Sequence, residues 1–148
     1  MLSMTKKTGY GLIALSHLAK MEGEQPASAR EIADRHGIPL SLLMNVLKEL
    51  SAAGYVESVR GAHGGYRLAV EPEEISLADL ITSVEGPIRL AECIADHDRP
   101  GDDETCHLLT SCPIADPVHR VNRRLADFLK TVTLAEIIAP AVAAVEDS

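Results

Sequence analysis

The segment that most constrains the fold is Gly54-Tyr-Val-Glu-Ser-Val-Arg-Gly-Ala-His-Gly-Gly-Tyr-Arg-Leu68. Tyr55, Val56 and Val59 favour extended backbone, and Tyr66, Arg67 and Leu68 begin a second extended run. Between them, Gly61, Gly64 and Gly65 permit the positive φ angles that a tight reversal requires. The spacing therefore predicts a hairpin with a basic tip, placed directly after an amphipathic helical pattern. A helix followed by such a hairpin has a physical use: the helix enters a DNA major groove while the hairpin reaches the neighbouring backbone or minor groove.

The residues before the hairpin supply the helices that this geometry needs. Thr5 to Met21 reads as a first helix, with Leu12, Ile13, Leu15, Leu18 and Ala19 as its apolar stripe. Ser28, with Glu31 three residues later, has the form of a capping box opening a short helix from Ala29 to His36. Gly37-Ile-Pro39 is the turn, because glycine ends one helix and proline suits the start of the next. Leu40 to Ala53 then places Leu43, Val46, Leu47 and Leu50 on one face and Ser41, Asn45 and Lys48 on the other. Hydroxyl and amide groups read base edges and lysine neutralises phosphate, so the outward set suits a recognition helix. Ser28, His63 and Arg67 join Ser41, Asn45, Lys48 and Arg60 as the expected DNA-contacting side chains.

Further along, Ser76 caps a helix from Leu77 to Val84, stopped by Gly86-Pro87. Residues 91–116 are irregular. A long helix follows from about Pro117 to Thr131, in which Val118, Val121, Leu125, Phe128 and Val132 recur at alternating spacings of 3 and 4. That is a short coiled-coil seam, and helix-turn-helix proteins commonly bind as dimers, so the expectation is a self-paired helix in a homodimer. Leu134 to Val145 closes the chain as a helical segment interrupted by Pro140. The expected fold is mainly α: a winged helix-turn-helix with a small β-hairpin wing and a long C-terminal dimerisation helix. It divides into a DNA-binding domain over 1–86, a cysteine-bearing loop over 87–116, and the dimerisation helix with its tail over 117–148.

A formal net charge of −8 looks wrong for a nucleic-acid binder. Residues 1–70, however, carry 8 Lys/Arg against 6 Asp/Glu, while residues 71–148 carry 6 against 16. The acidic load lies outside the reading segment, and binding depends on the local face. With 46% hydrophobic residues but only 3% aromatics, the core must be built from Leu, Ile, Val and Ala. No apolar run is long enough for a membrane span, and the N-terminus lacks a secretory signal, so the expected compartment is the cytoplasm. Three cysteines there start as thiols.

All three fall in the irregular loop: Cys93, twelve residues, Cys106, five residues, Cys112. Thiolates gathered in a polar loop are soft ligands, suited to an iron–sulfur cluster or zinc. The spacings match neither a zinc-module CxxC pair nor a ferredoxin, which leaves a thiol redox switch or incidental cysteines as alternatives. No Gly-rich phosphate loop, HExxH or GxSxG occurs, so an enzyme and a small-molecule substrate are not expected.

Several stretches carry a family resemblance: Thr8 to Leu15, Arg30 to Ala33, Val59 to Leu68, Ile75 to Asp79, Val84 to Pro87, the three cysteines, and Thr133 to Glu136. In these the chain resembles the Rrf-two family of bacterial winged-helix regulators, of the IscR, NsrR and SUF-regulator type. The resemblance implies homodimers carrying an iron–sulfur cluster on the loop before the dimerisation helix, with DNA affinity set by cluster occupancy or redox state. It maps Cys93, Cys106 and Cys112 onto the cluster ligands, Arg60 onto a wing arginine in the minor groove, and Ser41 and Asn45 onto base-reading positions. A 2Fe-2S cluster is favoured, with 4Fe-4S the other nuclearity.

Two departures stand out. Relatives often have five residues between the first two cysteines, against twelve here. Some relatives take a fourth ligand from a His three residues after the last cysteine, where this chain has Ala115. Others use an acidic residue before the tyrosine of the first helix, where it has Gly9. His107, Asp116 and His119 are the local candidates, with His107 nearest a thiol ligand. The expected function is a sequence-specific DNA-binding repressor sensing cluster status, redox state or nitric oxide. The alternative keeps the winged helix but substitutes a zinc site or a thiol switch.

Overall fold

The structure is a computed structural model that describes residues 4–21, 25–90 and 113–139. Three helices form its first layer: α1 (Lys6–Lys20), α2 (Ala29–His36) and α3 (Leu40–Ala52). The capping box at α2 forms as its sequence demands, with the Ser28 hydroxyl accepting from the Glu31 amide at 3.1 Å and the Ser28 amide donating to the Glu31 carboxylate at 3.3 Å. Gly37 ends α2 in the left-handed conformation at φ 67°, and Pro39 caps α3.

α3 buries the side chains read from its pattern, Leu43, Val46, Leu47 and Leu50, each with no exposed area. α1 differs. Its buried face is Thr8, Gly11, Ala14, Leu15 and Leu18, whereas Ile13 is 36% exposed. Small residues let α1 approach closely: a Cβ at Gly11 would stand 3.5 Å from both Val46 of α3 and Leu80. The helix packs on the side where it can come nearest, not on its greasiest side.

The chain then forms β1 (Val56–Val59) and β2 (Gly65–Leu68), an antiparallel pair in the register Val56 to Leu68 and Val59 to Gly65. A 3-10 turn at Pro72–Glu74 leads into α4 (Leu77–Glu85), capped by the Ser76 hydroxyl accepting from Asp79 at 3.0 Å. Glu85 at the end of α4 accepts from the amide of Thr5 at 3.1 Å and from its hydroxyl, tying the start of α1 to the end of α4. Partial burial alone would raise the Glu85 carboxyl. The hydrogen bonds from Thr5, aided by the Lys7 charge, instead hold it below the usual range.

α5 (Ala115–Thr131) lies against α4, and α6 (Leu134–Ile138) returns to the first layer. The return is pinned by a bridge between Ser76 and Thr133, with Leu77 donating to Val132 at 2.8 Å and Leu134 to Ile75 at 2.8 Å. Leu134 is 1% exposed and belongs to the same core as Leu15, Leu47 and Ile75. The reading of a helix as far as Val145 is met by α6 and by Ala139 in extended backbone; its remainder lies outside the described residues. As composition requires, no aromatic ring is fully buried: Tyr10, Tyr55 and Tyr66 pack at the margin, and Phe128 is 61% exposed.

Candidate nucleic-acid interface and cysteine loop

Ser41, Asn45 and Lys48 share the exposed face of α3, opposite its buried stripe. On the shoulders of that polar row stand Leu42 and Met44, 48% and 50% exposed. Sequence reading passed over both because it sorted α3 into one apolar and one polar face. The signal was present: neither residue falls on the stripe formed by positions 43, 46, 47 and 50. Exposed apolar side chains beside amide and hydroxyl groups are what contact with a thymine methyl requires.

The wing is joined to the helix-turn-helix by backbone. Ala27 donates to Tyr66 at 2.9 Å and Tyr66 donates back to Ala27 at 2.7 Å, so β2 is stitched to the residue before the α2 cap. This explains the glycines differently from the sequence expectation. Of the three in the hairpin, only Gly61 has a positive φ, at 130°. Gly64 and Gly65 are needed because a Cβ would run into the carbonyls of Val59 and Ala27 respectively. The same stitching brings Ser28 and His63 to the walls of one 460 Å³ cavity, although they are far apart in sequence.

Arg60 is exposed at the hairpin tip and forms no ion pair among the described residues. Arg67 is also exposed, but it faces Glu57 across the strands and its Nε donates to that carboxylate. A surface pair of this kind is worth only about 0–1 kcal/mol, so it orients Arg67 without removing it from reach of a phosphate.

Cys93, Cys106, Cys112 and His107 lie outside the described residues, but both ends of their loop are fixed. Asn122 of α5 accepts from the Leu90 amide at 2.8 Å and donates to the Ile88 carbonyl at 3.1 Å, clamping the chain three residues before Cys93. The other end enters α5 at Ala115, three residues after Cys112. Seven residues of helix separate Asn122 from Ala115, about 10 Å. Asp116 is exposed in the first turn of α5 and His119 is half-buried. Among the described residues no group of three or more His, Cys, Asp or Glu side chains is placed to hold a metal ion. Cysteine sulfurs, such as the three this loop carries, are chemically suited to soft metal ligation.

The apolar residues of α5 do not all face one way. None of its residues is buried. Val118, Leu125 and Val132 are half-buried on the side of the chain's own body, while Val121 and Phe128 are 54% and 61% exposed. Ile114, 60% exposed, extends the outward row at intervals of seven.

A model of Rrf2, described as an iron-dependent transcriptional regulator, matches residues 4–140. The chain belongs to this family. It is 32% identical over 137 residues to the HTH-type transcriptional regulator NsrR of Bacillus licheniformis, covering 93% of this chain and 92% of that protein. CymR of B. subtilis, described as a global cysteine regulator, superposes with a TM-score of 0.70 at 31% identity, covering 94% of this chain and 98% of CymR. IscR of T. potens gives 0.68 at 32% identity, covering 97% and 90%. As an Rrf2 protein the chain is a DNA-binding transcriptional regulator and not an enzyme. No helix among the described residues is long and apolar enough to cross a membrane. The Asn122 clamp in this Rrf2 chain carries no sequence signal, since a lone polar residue on a helix has no pattern of its own.

Proposed function

We propose that this protein is a homodimeric repressor whose grip on an inverted-repeat operator is set by an iron–sulfur cluster on Cys93, Cys106 and Cys112. The Asn122 clamp carries the reading. It fixes the chain leaving the winged domain to the helix offered for dimerisation, so a change in the loop's order bears on both at once. The chain is held to α5 by Leu90, three residues before Cys93, and enters α5 at Ala115, three residues after Cys112; the two attachment points on α5, Asn122 and Ala115, are about 10 Å apart along its axis. When bound, the cluster would supply a site that gains or loses ligands and electrons; 2Fe-2S is favoured over 4Fe-4S.

The protein's own residues do the rest. The outward row Ile114, Val121 and Phe128 pairs two α5 helices and sets the distance between two α3 helices. Ser41 and Asn45 read base edges, with Leu42 and Met44 available to thymine methyls. Lys48, Ser28, His63 and Arg67 contact phosphates, and Arg60 enters the minor groove. The functional division follows: reading domain over 1–86, loop over 87–116, pairing helix over 117–148, with α6 anchoring the last to the first.

A second reading keeps the DNA function and places a thiol switch or zinc on the loop; similarity to CymR, a cysteine regulator by its description, favours it. Anaerobic purification with iron and sulfide quantification separates the two. The cluster reading expects broad visible absorbance that Cys106→Ala abolishes while the dimer persists. A colourless wild-type protein, or full absorbance in that variant, contradicts it.

A further inference from the structure

At the end of α2 remote from the wing, two histidine rings nineteen residues apart in the chain meet. The Nδ1 atom of His17 in α1 lies 3.0 Å from Nε2 of His36 in α2, and the rings pack edge to face with centroids 5.2 Å apart. They border an open cavity of about 620 Å³, which Lys20 and Arg35 also line. Its apolar wall includes Ile13 and Ile137, 36% and 41% exposed. Among the described residues no carboxylate lines it.

We infer that this cavity binds a small organic acid, its carboxylate held by Arg35, Lys20 and the imidazole pair and its hydrocarbon body laid against Ile13 and Ile137. The volume falls within the range of roughly 300–1,000 Å³ for small-molecule sites, and apolar walls with a few convergent polar groups are their usual lining. Arginine presents a fork that matches a carboxylate in two parallel hydrogen bonds. Such a ligand bridges α1 and α2, so it acts on the support of the recognition helix as an effector.

Binding is coupled to protons. Partial burial first, then the charges of His36 and Arg35, hold His17 below its ordinary value, with Glu31 acting weakly the other way. Among the described residues the charged and titratable groups here are Lys20 on α1 and Glu31, Arg35 and His36 on α2, and α6 contributes Ile137. A carboxylate reverses the local field and favours the imidazolium form of His17, so a proton enters with the ligand. Affinity then rises as pH falls towards the His17 midpoint, by at most about tenfold per pH unit for one proton. The site is separate from the wing contact at Ser28, because the eight residues of α2 span about 12 Å.

The test is a titration of the full chain with sodium hexanoate, following His ring nitrogens and isoleucine methyls by NMR, with hexanamide and inorganic phosphate as comparison probes. The expected result is saturable shifts at His17, His36, Ile13 and Ile137, with hexanoate about tenfold tighter than either comparison probe. Arg35→Ala and Lys20→Ala, both at exposed positions that leave the core intact, each weaken hexanoate binding about tenfold. Equal shifts from hexanamide, or unchanged affinity in both variants, overturn the inference. Phosphate binding as tightly as hexanoate overturns the organic-acid class, and operator DNA displacing hexanoate from these resonances makes the cavity part of the DNA face.

Discussion

Replacing Gly65 with alanine tests the joint between the wing and the helix-turn-helix. The added Cβ would meet the Ala27 carbonyl and stand 2.8 Å from the Ser28 nitrogen, all of it backbone that no rotamer change can clear. Relief requires β2 to retreat by roughly 1 Å, which carries both Ala27–Tyr66 hydrogen bonds past the useful limit of about 3.2 Å. Losing two backbone bonds costs about 1–3 kcal/mol. Reduced freedom of the unfolded chain offsets about 0.4–1 kcal/mol of that. The net is a destabilisation of about 1–2 kcal/mol, or several degrees in Tm at about 2–4 °C per kcal/mol for a chain of this size.

Gly9 is the matched comparison. It lies inside α1 with nothing within 4 Å of its Cβ position, so Gly9→Ala should stabilise by about 0.5–1 kcal/mol. Denaturant melts followed by circular dichroism measure both. Opposite signs in the two variants support the close-approach argument. A Gly65→Ala protein as stable as the wild type refutes it.

Two further substitutions probe the proposed contacts. Phe128→Glu removes about 2 kcal/mol of burial from each protomer of a dimer paired through α5, so dimer affinity should fall by about a thousandfold in sedimentation; an undisturbed dimer moves the interface elsewhere. Arg60→Ala should reduce operator affinity severely, about 10- to 200-fold at moderate salt, and a binding isotherm matching the wild type would remove the wing tip from the DNA contact set.

Local signals were readable in the sequence; encounters between distant segments were not. The α2 cap at Ser28, the Gly37 turn and the buried row of α3 each depend on residues within one or two helical turns, and each forms as read. The α1 face was misjudged at Ile13 because hydrophobicity marks large side chains, whereas this helix packs through Gly11 and Ala14. The hairpin was read correctly but two of its glycines for the wrong reason, since the obstacle at Gly65 is Ala27, nearly forty residues away. The apolar residues of α5 divide into a half-buried row, Val118, Leu125 and Val132, and an exposed one, Val121 and Phe128, a distinction that periodicity alone does not make. The Ser76–Thr133 bridge, the Asn122 clamp and the His17–His36 pair all join residues that share no local pattern. Of the candidate site, the exposed row Ser41, Asn45 and Lys48 was legible because it lies opposite the buried stripe, whereas Leu42 and Met44 beside it were hidden by their apolar character.

The most direct test compares operator affinity of the fully cluster-loaded protein with that of the same preparation stripped of iron and sulfide, at fixed salt and without oxygen. Coupling of about 1–3 kcal/mol between loop and reading helices predicts a 5- to 150-fold difference. Identical isotherms for the two forms would contradict a regulator governed through Cys93, Cys106 and Cys112.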